Sequence, residues 1–220
     1  MAEDSQTHFV NHLISLLMQY QQGDTLFKHV IQQKAAELGI TKFIEEIARP
    51  LGIAIGEMWY RGEMNIFIER YYSIQLTELL NDLIMQNDVQ KSIYQPRILL
   101  GTLTGEKHIL GLNMAQVLLC SQGAFCINLG AELPASEFID AVEYFKINVI
   151  GLSFSPVFPK RMMLSLLRQM RSKLPSDIEM WIGGKGTEDF DEKIEGISVL
   201  NGVEEIMSAY QTLQHKLLMG

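Results

Sequence analysis

Cysteine is scarce: the chain has two in 220 residues, Cys120 and Cys126, both inside apolar segments. That excludes a disulfide scaffold and leaves two reduced, buried, small hydrophobes as the expectation. Cations are also in short supply. Lys and Arg number 18 against 26 Asp and Glu, for a net charge of −8. No Lys/Arg cluster exceeds a pair, so a face for direct nucleic-acid contact is not expected. No apolar run approaches the ~18 residues of a membrane span, and the N-terminus MAEDSQTHF has neither the basic nor the apolar region of a signal peptide. A cytoplasmic protein without a membrane partner is the expectation. Motifs are missing too: no G-x-S-x-G marks a nucleophile elbow. GGKG at 183–186 lacks the frame of a phosphate loop, which leaves Lys185 an ordinary loop lysine.

What is present is core-forming material, with 47% apolar residues, enough for one large domain or two modest ones. Up to about Asp88 the periodicity is helical. FVNHLISLLMQY places Phe9, Val10, Leu13, Leu16 and Leu17 on one stripe, with Asp4 and Ser5 as caps. QQGD breaks it, Asp24 is positioned to cap TLFKHVIQQKAAEL, and Gly39 ends that helix. A third helix starts near Thr41, with Pro50 expected to kink or divide it. A fourth spans Glu63 to Met85. Four short-looped helices predict a bundle over residues 1–91.

From Pro96 the texture changes. Short β-rich runs (RILLGTL, AFCINLG, NVIGLSFS, EMWIGG, ISVL) alternate with helical patterns, the rhythm of a doubly wound parallel sheet. An α/β fold is therefore expected for residues 92–220. Ligands of such folds sit beyond the carboxyl ends of the strands, and His108 falls at the first such turn, in GEKHILG after RILLGTLT. An imidazole there can be a general base, a metal ligand, or a packed structural histidine. Glu106, two residues away, can accept a hydrogen bond from one ring nitrogen and leave the other nitrogen's lone pair outward. With no nucleophile elbow in the sequence, a ligand role fits best.

The pattern Glu106-x-His108-x-x-Gly111 resembles the signature of cobalamin-binding domains. Ser153-Phe154-Ser155 follows after 112–152, and Gly183-Gly184 after 156–182, in the order and at the spacing of that family. The resemblance implies a Rossmann-like (flavodoxin-like) domain in which His108 coordinates cobalt from below and Glu106 orients it. It also implies a slot for the cofactor's displaced nucleotide base. Gly111, Gly183 and Gly184 would make room where a Cβ collides, and Ser153, Ser155, Thr102 and Thr104 would offer hydroxyls.

GEKHILG and LGAELP (129–134) are more similar to the sensory cobalamin proteins of the CarH/LitR and AerR/PpaA type than to methyltransferase corrinoid subunits, which carry Asp in place of Glu. Those sensors place a four-helix bundle over the cofactor, with a Trp followed ten residues later by Glu-His. Here Trp59 is followed by Glu69-Arg70. The resemblance therefore assigns Trp59 and Glu69 to the upper ligand. Arg70, a permanent cation that does not ligate cobalt, stands where the family has His, and Tyr60 follows the Trp. No helix-turn-helix segment precedes the bundle, so the expectation is a free-standing sensor acting through a protein partner, a transcription factor. The bundle's outer surface is also a candidate for pairing with a second copy.

The alternatives are a corrinoid methyl carrier of a methyltransferase system, a haem sensor using the same His108, and a cofactor-free interaction module. His8 and His12 have the spacing of a helical metal pair but no third ligand, which points to a solvated face. Met162 and Met163 read as core filler.

Overall fold

The computed structural model describes residues 2–19, 25–86 and 96–219. The chain forms two compact units, Met1–Gln86 and Asn87–Gly220. The expected boundary between residues 91 and 92, and Asp24, lie outside the described residues.

The first unit is helical: α1 Ala2–Met18, α2 Leu26–Leu38, α3 Ile40–Phe43, α4 Arg49–Tyr60 and α5 Ile66–Gln86. A π-helical turn, Ile44–Ala48, joins α3 and α4 without a break, so the unit has the four rods that the sequence predicts. Helix α1 begins before Asp4 and Ser5, which therefore sit inside it rather than capping it. The buried positions repeat at helical spacing: Leu13 and Leu17; Phe27, Ile31 and Ala35; Leu51 and Ile55; Tyr72, Leu76 and Leu80. Each of the leucine, isoleucine and phenylalanine side chains removed from water contributes about 1.5–3 kcal/mol.

Pro50 does not divide the third rod. A proline inside a helix leaves the carbonyl four residues back without its donor, here that of Glu46. Gln6 of α1 supplies the donor, Nε2 to the Glu46 carbonyl at 2.5 Å. The π turn lies immediately ahead of the proline, where the ladder is already widened: the Arg49 amide reaches back to the Ile44 carbonyl.

Helix α4 ends at Arg61 and Gly62. The Gly62 amide bonds the Trp59 carbonyl and the Glu63 amide bonds the Met58 carbonyl, a Schellman closure that needs φ near +72° at Gly62. Trp59 at the end of α4 is 40% exposed and Tyr60 is 81% exposed.

The second unit has five parallel strands, β1 Arg97–Gly101, β2 Phe125–Asn128, β3 Val149–Ser153, β4 Glu179–Gly183 and β5 Ile197–Leu200, ordered β2-β1-β3-β4-β5. The helices of this unit are α6 Leu110–Ser121, α7 Ala135–Phe145, α8 Lys160–Lys173 and, after the last strand, α9 Val203–Met219. Alternate strand residues point to opposite faces. Leu99, Ile150, Leu152 and Met180 pack with Phe138 of α7 and Met163 and Leu167 of α8. Ile98, Leu100, Val149 and Trp181 pack with Leu112 and Leu119 of α6 and Tyr210 and Leu213 of α9. This is a three-layer α/β/α unit.

The strand order reverses between β1 and β3, so the crevice of the fold opens at their carboxyl ends. Cys120 and Cys126 form no disulfide and are half-buried, more open than expected. No helix among the described residues is long and apolar enough to cross a membrane.

Candidate functional site

The β1–α6 loop carries Glu106 and His108 to that crevice. It leaves β1, turns at Gly105 with φ +94°, and returns the Glu106 amide to the Leu103 carbonyl at 2.9 Å. Only glycine takes that conformation without strain. Helix α6 begins two residues after His108.

Glu106 is buried at 1% exposure, and four hydrogen bonds converge on its carboxylate. Oε1 accepts from the His108 amide at 2.9 Å and pairs with His108 Nδ1 at 2.7 Å. Oε2 accepts from the Ser155 amide and the Ser155 hydroxyl, both at 2.7 Å. Burial alone raises the Glu106 carboxyl. The bonds from the His108 ring, the Ser155 amide, the His108 amide and the Ser155 hydroxyl outweigh it and hold the group down to about 2. Glu106 is therefore an anion at neutral pH and can only accept. Nδ1 must then carry a proton, so in the neutral ring the lone pair is on Nε2. The ring itself is 56% exposed.

One imidazole set on a buried anion could ligate a metal only if the metal brings its other ligands with it. Among the described residues no group of three His, Cys, Asp or Glu is arranged to hold a bare ion, and His8 and His12 lie exposed on α1. The donor set thus suits a tetrapyrrole-type cofactor with an open axial position.

The remaining hydroxyls and glycines divide into two kinds. Thr102 is fully buried; its Oγ1 donates to the Glu106 carbonyl at 2.6 Å and accepts from the Glu132 amide at 3.1 Å. Ser155 is engaged by Glu106. Both hydroxyls, expected from sequence to face a ligand, are engaged in holding the His108 loop. Thr104 is exposed, and its amide bonds the Leu133 carbonyl. Ser153, at the end of β3, is half-buried and its hydroxyl makes no hydrogen bond among the described residues.

A Cβ at Gly183 would lie 2.6 Å from the Leu200 carbonyl oxygen. One at Gly184 would lie 2.5 Å from the Phe154 carbonyl oxygen, at φ +95°. These two glycines are explained by contact between the loops after β3, β4 and β5, not only by room for a base. Gly111 differs: it is exposed on the first turn of α6, and a Cβ there would meet only Ser153 Oγ, at 3.4 Å. Gly111 and Ser153 are the pair that the chain's own packing leaves open.

Of the residues expected on the helical unit, Trp59 is partly exposed, and Glu69, in the first turn of α5, accepts from the Ser73 hydroxyl at 2.7 Å. Arg70 is exposed.

No protein-family model matches the chain. The HTH-type transcriptional repressor CarH of Myxococcus xanthus is 24% identical over 170 residues, 77% of this chain and 56% of the relative. The chain thus spans little more than half of that relative's length. The monomethylamine corrinoid protein of Methanosarcina barkeri superposes with a TM-score of 0.67 at 14% identity, over 91% of this chain and 96% of that one. The fold is that of a corrinoid protein. The methanol:cobalamin methyltransferase complex MtaBC of Methanosarcina barkeri aligns at TM-score 0.51 and 15% identity, covering 83% of this chain and 71% of that one.

The Ser155 contribution is what sequence reasoning missed: SFS was legible as a motif, but its partner lies 49 positions earlier.

Proposed function

We propose that this protein is a cobalamin-binding sensor that passes the state of the cofactor's upper ligand to a protein partner. The observation that carries the reading is the Glu106–His108–Ser155 arrangement at the β1/β3 crevice. Nδ1–H is fixed by a buried carboxylate, and Nε2 is presented as a single axial donor. Ser153 and Gly111 would line the slot for the nucleotide base and arm, with Gly183 and Gly184 behind them. Haem asks for the same histidine but leaves the open Ser153–Gly111 pair without a purpose.

Bound cobalamin would supply a cobalt centre whose upper ligand exchanges or is lost in light. The chain's part is to hold the imidazole in one tautomer and orientation, and to answer the upper ligand. Trp59 and Glu69 are assigned to that ligand, the indole by its face and the carboxylate by hydrogen bonds. Loss of the ligand removes those contacts and changes the surface offered to a partner, by no more than the difference in contact energy. Partial identity with a transcriptional repressor supports a transcription factor as that partner. A second copy of the chain is the other candidate.

A second reading, a corrinoid methyl carrier, is favoured by Arg70. A guanidinium does not ligate cobalt, so a lit state held by a second histidine is not built from Trp59, Tyr60, Glu69 and Arg70.

Loading with adenosylcobalamin in the dark, desalting and exposing to green light, with spectrum and oligomeric state followed, separates the readings. A change in both supports the sensor. Methyl transfer from methylcobalamin-loaded protein to a thiol, with no response to light or ligand form, contradicts it in favour of the carrier.

A further inference from the structure

The loop that holds His108 is not held by Glu106 and Ser155 alone. The Thr102 hydroxyl works in two directions inside the fold, donating to the Glu106 carbonyl and accepting from the Glu132 amide. Glu132 belongs to the loop between β2 and α7 and stands at φ +58°, an unusual conformation for a residue with a Cβ. That loop is zipped to the His108 loop by backbone bonds as well: Thr102 amide to Gly130 carbonyl at 3.0 Å, Leu133 amide to Thr102 carbonyl at 2.9 Å, and Thr104 amide to Leu133 carbonyl at 3.1 Å. Leu103 and Leu133 complete the zip as an isolated parallel bridge. Glu132 and Pro134 lie exposed on its outer rim.

We propose that Thr102 is a positioning residue for His108, and that the β2–α7 loop acts on the imidazole through it. Glu106 is gripped at both ends, its carbonyl by Thr102 and its carboxylate by Ser155. The imidazole, more than half exposed, depends on Glu106 for its aim. Whatever displaces Glu132 therefore loosens the Thr102 hydroxyl, then Glu106, then the ring. This rests on the reading of His108 as the lower ligand. It adds that the strength of that ligation is set from the rim of a neighbouring loop, where a protein partner can reach it.

Two measurements on the full chain test it, with Thr102→Val, which removes the hydroxyl at similar volume, and Thr102→Ser, which keeps it. The first is amide hydrogen exchange of the corrinoid-free protein. Thr102→Val is expected to speed exchange about tenfold, the factor of one lost hydrogen bond, at both Glu132 and His108, while Thr102→Ser stays near wild type. The second is the spectrum with saturating hydroxocobalamin, where Thr102→Val should move toward the spectrum of His108→Ala and Thr102→Ser should not. Faster exchange confined to 129–134, or a wild-type spectrum in Thr102→Val at whatever melting temperature, overturns the proposal. If the valine variant does not fold, Thr102→Ala against Thr102→Ser decides the same question. A wild-type protein that retains no corrinoid defeats the lower-ligand reading instead, and the exchange comparison still decides whether the two loops are coupled.

Discussion

Oε2 of Glu106 lies 2.7 Å from both the backbone nitrogen and the hydroxyl of Ser155, a residue 49 positions further along the chain. The pair ties the loop after β1 to the loop after β3 and leaves the other carboxylate oxygen to the His108 ring. A buried carboxylate with this many donors stays ionised, and an ionised partner fixes the imidazole tautomer.

The Glu106 carboxyl, held at about 2 against an ordinary 4.5, makes stability depend on acid pH. A depressed folded value contributes stability above the unfolded value and loses it as pH falls. In corrinoid-free protein, wild type should exceed Glu106→Gln by on the order of 3 kcal/mol above about pH 4.5. The gap should close as pH falls from about 4.5 toward about 2. Urea midpoints at several pH values check it, and a gap that does not change with pH would contradict it.

Gly184→Ala places a Cβ 2.5 Å from the Phe154 carbonyl oxygen at a positive φ. It should cost about 2 kcal/mol or more without any cofactor. Gly111→Leu should leave the fold as stable as before or slightly more so, by roughly 0.5–1 kcal/mol of helix propensity, yet abolish corrinoid retention. Thermal melts and retention after desalting separate the two kinds of glycine.

Gln6→Ala should destabilise the protein by about 1 kcal/mol by orphaning the Glu46 carbonyl. The loss should largely vanish in a Pro50→Ala background, where the restored amide takes over. A double-mutant cycle by urea denaturation measures this, and additive effects would mean that the Gln6 bond does not compensate for the proline.

Tyr72 is buried in the helical unit, and its hydroxyl has no hydrogen-bond partner among the described residues. Burial and the nearby Glu69 push its phenol up. Tyr72→Phe removes an unsatisfied polar atom and should stabilise the protein by about 1 kcal/mol. A destabilised variant would show that the hydroxyl has a role the packing does not reveal.

The elements were legible because their signals are local. Leu13 and Leu17, or Ile98 and Leu100, betray their period to any reader of the chain, and all five β-rich runs became strands. His108 and Glu106 were legible for the same reason, being two residues apart. What was not legible depends on topology. The Gln6 bond to Glu46, the Ser155 bonds to Glu106 and the Thr102 bond to Glu132 each join segments that meet only after the fold forms. Gly183 and Gly184 were found by motif, but their collisions with the Leu200 and Phe154 backbones follow from strand register, which periodicity alone does not supply.

The central claim is that His108 is the axial ligand held by Glu106. Electron paramagnetic resonance of protein loaded with cob(II)alamin, grown with ordinary or heavy-nitrogen histidine, tests it most directly. The account predicts a nitrogen splitting that changes from triplet to doublet with the heavy isotope and is absent in His108→Ala. A splitting that ignores the isotope, or that survives in His108→Ala, would show that the cobalt keeps its own base and would contradict the account.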